Sequence, residues 1–130
     1  MSPLFTRIVP RLPVADLVRS VVFYRDALGF RVDVLWPEDA PWFAILERDG
    51  VSVGVFVPTA EHPVTRGYAE LFVDVTDARL LHERVKDRVA IEWGPEVYGY
   101  GRREFAVRDP DGYLVIFSEE TTDPPTTADP

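Results

Sequence analysis

The two halves of this chain repeat each other, and the repeat restricts the folds open to it. Val14-x-Asp16 recurs as Val75-x-Asp77, 61 residues on, and Gly50 before one apolar run recurs as Gly112 before another, at an offset of 62. Each copy reads as a strand, a helix and three more strands. In the first copy a strand near Arg7–Val14 precedes Asp16, whose short carboxylate suits a helix N-cap. Leu17, Val21, Tyr24 and Leu28 then share one helical face, and Gly29 stands where a helix stops. Strands at Phe30–Trp36, Trp42–Glu47 and Val51–Val57 follow, the last two joined by the hairpin signal Asp49-Gly50. The second copy offers a strand at Ala69–Val75, a helix capped by Thr76 or Asp77 with Leu81 and Val85 one turn apart, and strands near Ala90–Trp93, Arg103–Arg108 and Tyr113–Ser118. Asp109-Pro110-Asp111-Gly112 has the chemistry of a tight reversal. The expected fold class is α+β, with copies over about residues 6–57 and 69–119 of one domain spanning 1–120.

Alternation along the strands assigns faces. Val51, Val53, Val55 and Val57 point one way, toward the helix, and Ser52, Gly54 and Phe56 the other. Leu71, Val73 and Val75 likewise oppose Glu70, Phe72 and Asp74, and Tyr113, Val115 and Phe117 oppose Leu114, Ile116 and Ser118. A face carrying Phe56, Phe72, Leu114 and Ile116 beside acids is too apolar for plain solvent exposure. It reads as a ligand groove, or as a surface covered by a partner subunit.

Composition removes several function classes. The chain has 130 residues and no cysteine, which excludes disulfides, a thiol nucleophile and Cys-ligated metals. Its formal charge of −8 repels phosphate backbones and favours a cationic small ligand. Four of its 22 acids sit in the last twelve residues, EETTDPPTTADP. That composition cannot repay its ordering entropy, so residues 121–130 are expected to be a disordered acidic tail. No apolar run is long enough to span a membrane, and MSPLFTRIVPRLPV lacks the pattern of a signal peptide, so the expected location is cytoplasmic. No GxSxG, P-loop or GxGxxG motif is present.

LPVADLVRSVVFYRDALGF, followed far downstream by YGRREFAVRDPDGYLVIF, resembles the vicinal oxygen chelate superfamily, which includes glyoxalase I, extradiol dioxygenases, fosfomycin-resistance enzymes and bleomycin-resistance proteins. The resemblance covers residues 5–120 and implies two βαβββ modules forming a curled, eight-stranded open-barrel sheet with helices outside and a working concave face. Enzymes of that group hold a divalent metal at four positions, which here are Val9, Gly54, Glu70 and Ile116. One carboxylate does not hold a catalytic metal, and the two histidines, His62 and His82, fall in a loop and on a helix. The expectation is therefore no metal, no cofactor and no catalytic residue. Glu70 in an apolar groove is a candidate base, or else an ion-pair partner of Arg11 or Arg103.

A groove without a metal resembles most closely the bleomycin-resistance branch, whose members are implied to be dimeric sequestering agents. Pro10 matches a proline at which an N-terminal arm crosses to the partner, which implies an arm-swapped homodimer; otherwise it is a strand-edge proline. Flat cationic rings need aromatic slabs and negative charge. The candidate ligand residues are Trp36, Trp42, Phe43, Phe56, Glu70, Tyr98, Tyr100 and Gly101. Tyr100 with Gly101 stands for the aromatic before Gly-Arg-Glu-Phe in that branch, although Tyr replaces Trp and an extra arginine separates Gly101 from Arg103. The same aromatics would serve core or dimer packing. The expected function is capture of a flat, cationic antibiotic of bleomycin type; the alternative is a metal-dependent or metal-free lyase or dioxygenase.

Overall fold

Asp16 and Asp77 begin both helices in the way their spacing dictates. The computed structural model describes residues 2–61 and 67–128, which fall into two units, 1–67 and 68–130. In the first unit β1 (Arg11–Pro13) leads to α1 (Leu17–Val22), whose N-terminus is held by Asp16 Oδ1 accepting from the Arg19 N–H at 3.1 Å. The helix widens into a π-helical turn, Phe23–Ala27, which buries Tyr24 with Leu17, Val21 and Leu28. Gly29 ends it at φ +74°, and the Arg48 guanidinium fills the space beside it, donating to the Leu28 carbonyl at 2.7 Å. Strands β2 (Arg31–Trp36), β3 (Phe43–Arg48) and β4 (Val51–Phe56) complete a sheet of order β1-β4-β3-β2, with β1 parallel to β4. Asp49 and Gly50 both take positive φ, the backbone of a two-residue hairpin.

The second unit repeats this plan. It holds β5 (Glu70–Asp74), α2 (Ala78–Val85), β6 (Ile91–Tyr98), β7 (Arg102–Arg108) and β8 (Leu114–Glu120), in sheet order β5-β8-β7-β6. Asp77 Oδ1 accepts from the Leu80 N–H at 2.9 Å. His82, on α2, sets its ring edge-on to Phe105 at 5.3 Å. The turn into β8 is organised by buried Asp109, whose Oδ1 accepts from the N–H groups of Asp111 and Tyr113 at 2.9 and 3.0 Å.

The helix-facing sides are apolar in both units. Ala44, Leu46, Val53 and Val55 lie buried in one; Phe105, Val107, Val115 and Phe117 lie buried in the other. Burying a side chain of this size stabilises by about 1.5–3 kcal/mol.

Several expectations change. The strands form two four-stranded sheets, not one hydrogen-bonded sheet of eight. The first strand is confined to Arg11–Pro13 rather than Arg7–Val14, because only these residues find register partners on β4. Val51 is exposed beside the hairpin and Val57 lies past the end of β4, so only Val53 and Val55 are buried under the helix. The strand expected to stop near Trp93 runs on to Tyr98, since register shifts absorb Gly94 and Pro95. Gly94 sits at φ +82° with the Glu104 carbonyl 2.3 Å from where a Cβ would stand.

The acidic segment is tied to the second unit as far as Thr126. Thr126 N–H donates to the Val97 carbonyl at 2.9 Å, and Val97 N–H to Thr126 Oγ1 at 2.7 Å, along the outer edge of β6. Asp123 pairs with Arg103, which also holds Glu119 at 3.2 Å. Polar pairing to an edge strand replaces the apolar burial that this composition lacks. His62 and the last two residues, 129 and 130, lie outside the described residues.

Candidate functional site

The face of each sheet turned away from its helix carries the candidate ligand residues. In the first unit, register aligns Pro13, Phe56, Phe43 and Trp36 in one row across four strands. The next row is Arg11, Gly54, Ile45 and Val34. Phe56 is buried, Phe43 half-buried, and Trp36 61% exposed at the sheet margin. Trp42 lies beside Phe43, rings 6.2 Å apart, and borders a hollow of about 360 Å³ with Thr59, Ala60 and Glu61. Arg11 stacks its guanidinium over Phe43 at 4.5 Å and Phe56 at 5.3 Å.

In the second unit the row equivalent to Pro13-Phe56-Phe43-Trp36 is Asp74, Ser118, Glu104 and Glu96. Buried Glu104 accepts from the Tyr100 hydroxyl at 2.6 Å and from Ser118 Oγ at 2.8 Å. Ser118 Oγ in turn accepts from Arg102 Nε at 2.6 Å. Arg102 also pairs with Asp74, lies 3.6 Å from Glu120, and stands over the Phe72 ring at 5.6 Å. Tyr98 and Tyr100 stack with centroids 5.6 Å apart and planes 4° from parallel, and Trp93 meets Tyr98 edge-on at 6.1 Å. Tyr100 is 54% exposed, whereas Tyr98 is buried. Tyr100, Gly101, Arg102, Glu120, Thr121 and Thr122 line a hollow of about 570 Å³.

The electrostatics of the stack follow from its neighbours. Burial, then the charges of Glu104 and Glu96, push the Tyr98 phenol above its ordinary pKa. The same negative field favours a cation beside the rings.

The sequence-derived candidates therefore divide. Trp36, Trp42, Phe43 and Phe56 belong to the first unit, and Glu70, Tyr98, Tyr100 and Gly101 to the second. Glu70 is exposed and accepts from the Tyr68 hydroxyl at 3.0 Å, so it is not a carboxylate in an apolar groove. Its expected partner Arg103 is engaged by Glu119 and Asp123. Glu104, Ser118, Arg102, Asp74 and Trp93 were not singled out from sequence. The alternation Arg102-x-Glu104-x-Ala106 carried the signal, but only strand register brings Asp74 and Ser118 beside it.

Of the positions compared with metal ligands, Val9 and Gly54 are neighbours: Val9 Cγ1 lies 3.5 Å from where a Gly54 Cβ would stand. Ile116 and Glu70 share a face of the second sheet, two register positions apart along it. Among the described residues no three His, Cys, Asp or Glu side chains converge as a metal site.

Comparison with known proteins agrees with this architecture. Residues 5–117 match the Glyoxalase/Bleomycin resistance protein/Dioxygenase superfamily. The bleomycin resistance protein of Geobacillus stearothermophilus is 26% identical, over 86% of this chain and 95% of its own length. The bleomycin-binding protein of bleomycin-producing Streptomyces verticillus, solved with copper(II)-bleomycin, superposes with a TM-score of 0.69 at 26% identity, covering 94% of this chain and 100% of that one. TioX from Micromonospora sp. ML1 shares the fold with a TM-score of 0.78 at 23% identity, over 89% of this chain and 99% of its own.

Proposed function

The chain belongs to the Glyoxalase/Bleomycin resistance protein/Dioxygenase superfamily, and from that premise we propose that it binds and sequesters a flat, cationic antibiotic of bleomycin type without catalysis. The observation that carries this reading is the parallel Tyr98–Tyr100 stack with Glu104 and Glu96 beside it. A flat ring laid against the exposed part of Tyr100 gains stacking, and a positive charge nearby gains the carboxylate field. Val9, Gly54 and Ile116 at the positions compared with metal ligands support a non-catalytic role. The bleomycin resistance and bleomycin-binding relatives support the ligand class. Exposed Leu4, Phe5 and Ile8 ahead of Pro10 support a homodimer in which this arm covers a partner. No helix among the described residues is long and apolar enough to cross a membrane, and the proposed setting is cytoplasmic.

Titration with metal-free bleomycin and phleomycin, followed by tryptophan fluorescence and calorimetry, tests the reading. The expected result is a Kd of about 1 μM or tighter, about 8 kcal/mol, to which ring burial contributes alongside stacking and charge. A flat titration with both drugs overturns the assignment to this antibiotic class.

A further inference from the structure

The first unit presents a different recognition group from the second. Arg11 is exposed, yet its position is built. Its stem lies in a space that exists because residue 54 is glycine: a Cβ there would stand 3.1 Å from Arg11 Cγ and 3.4 Å from the Pro10 carbonyl. Its guanidinium lies over both Phe43 and Phe56. The other strand arginines, Arg31, Arg48, Arg102, Arg103 and Arg108, each pair with a carboxylate. Arg11 has no carboxylate partner among the described residues, in a chain with 22 acids and 14 bases. The contrast with Arg102 is sharp, because Arg102 also stands over a phenylalanine but is held by Asp74 and Ser118.

We propose that Arg11 is a ligand-recognition group, taking an anionic oxygen, carboxylate or phenolate, borne on a flat aromatic ring. A guanidinium resting on an aromatic floor leaves its N–H groups for a paired oxygen acceptor, and a guanidinium plane can also take a second ring. A purely cationic ring would meet like charge at this place. The inference rests on the small-molecule reading above, but not on the charge or the identity of the drug.

The test uses 2-naphthoate and its neutral isostere 2-naphthamide as probes, with calorimetry and the Arg11 Nε–H resonance as readouts. The wild-type protein prefers the carboxylate by about fivefold or more, and the Arg11 resonance shifts on titration. R11Q lowers the preference below about twofold. G54A keeps every charge but crowds the Arg11 stem, and it lowers the preference as well. Circular dichroism verifies each fold, and G54A carries the test if R11Q does not fold. Equal affinity for the two probes in the wild type, or an undiminished preference in a folded R11Q, overturns the proposal. Failure of bleomycin to bind with the naphthoate preference intact overturns the drug reading alone; bleomycin binding without that preference overturns the Arg11 assignment alone.

Discussion

The two units share a plan and differ in the chemistry of one row. Residues in equivalent register are Pro13, Phe56, Phe43 and Trp36 in one, and Asp74, Ser118, Glu104 and Glu96 in the other. On the helix side both remain apolar, with Val53 and Val55 matching Val115 and Phe117. Packing therefore fixes one side of each sheet, while the other side is free to become an aromatic floor under an arginine or a hydrogen-bonded acidic chain. The arginine–phenylalanine pair even exchanges its origins. Arg11 comes from the first strand of its unit and reaches Phe43 and Phe56, whereas Phe72 comes from the equivalent strand and receives Arg102 from β7.

The comparison breaks most visibly at glycine. Gly94 to alanine puts a methyl group against the Glu104 carbonyl and is expected to cost about 3 kcal/mol or more in urea unfolding. Gly50 to alanine meets nothing within 4 Å, so only its φ of +84° is penalised and the loss is about 1 kcal/mol. Equal losses would mean that the close approach of β6 to β7 is not rigid.

The acidic row gives the next largest effect. Glu104→Ala leaves Tyr100 and Ser118 without their acceptor and is expected to cost about 2 kcal/mol. Glu104→Gln sharpens the point through pH. The Tyr98 phenol is raised in the folded state, so its contribution to stability is complete below the unfolded tyrosine pKa of about 10. That contribution is lost as pH rises through the folded value. Removing the Glu104 charge lowers the Tyr98 pKa, and the alkaline loss becomes smaller. Absorbance titration at the phenolate band and urea midpoints above neutral pH measure both. An unchanged Tyr98 titration in E104Q would remove the electrostatic argument for a cationic ligand.

The smallest effect tests what the units share. Asp16→Ala and Asp77→Ala each remove one helix cap and are expected to cost about 1 kcal/mol apiece. Urea unfolding of the two variants side by side checks the equivalence; a cost confined to one unit would show that the repeat is not matched in energy.

Features set by local chemistry were readable in the sequence. The caps at Asp16 and Asp77, the stop at Gly29 and the reversals at Asp49-Gly50 and Asp109–Gly112 each depend on a few neighbouring residues. The extension of β6 through Gly94 and Pro95 was hidden because both residues ordinarily end strands, and only the bulged pairing with β7 reveals their fit. The link from Asp74 through Arg102 and Ser118 to Glu104 joins three strands, so no spacing along the chain announces it. Glu70 misled because alternation gives a side chain's face but not the openness of its surroundings.

The docking of Thr126 along β6 has a further consequence. By occupying the main-chain groups of Val97, the chain blocks this part of the margin to a neighbouring strand. Stray sheet-to-sheet joining between molecules is a route to precipitation. The chain's most polar stretch thus doubles as a selvedge, keeping the fabric from unravelling onto its neighbours.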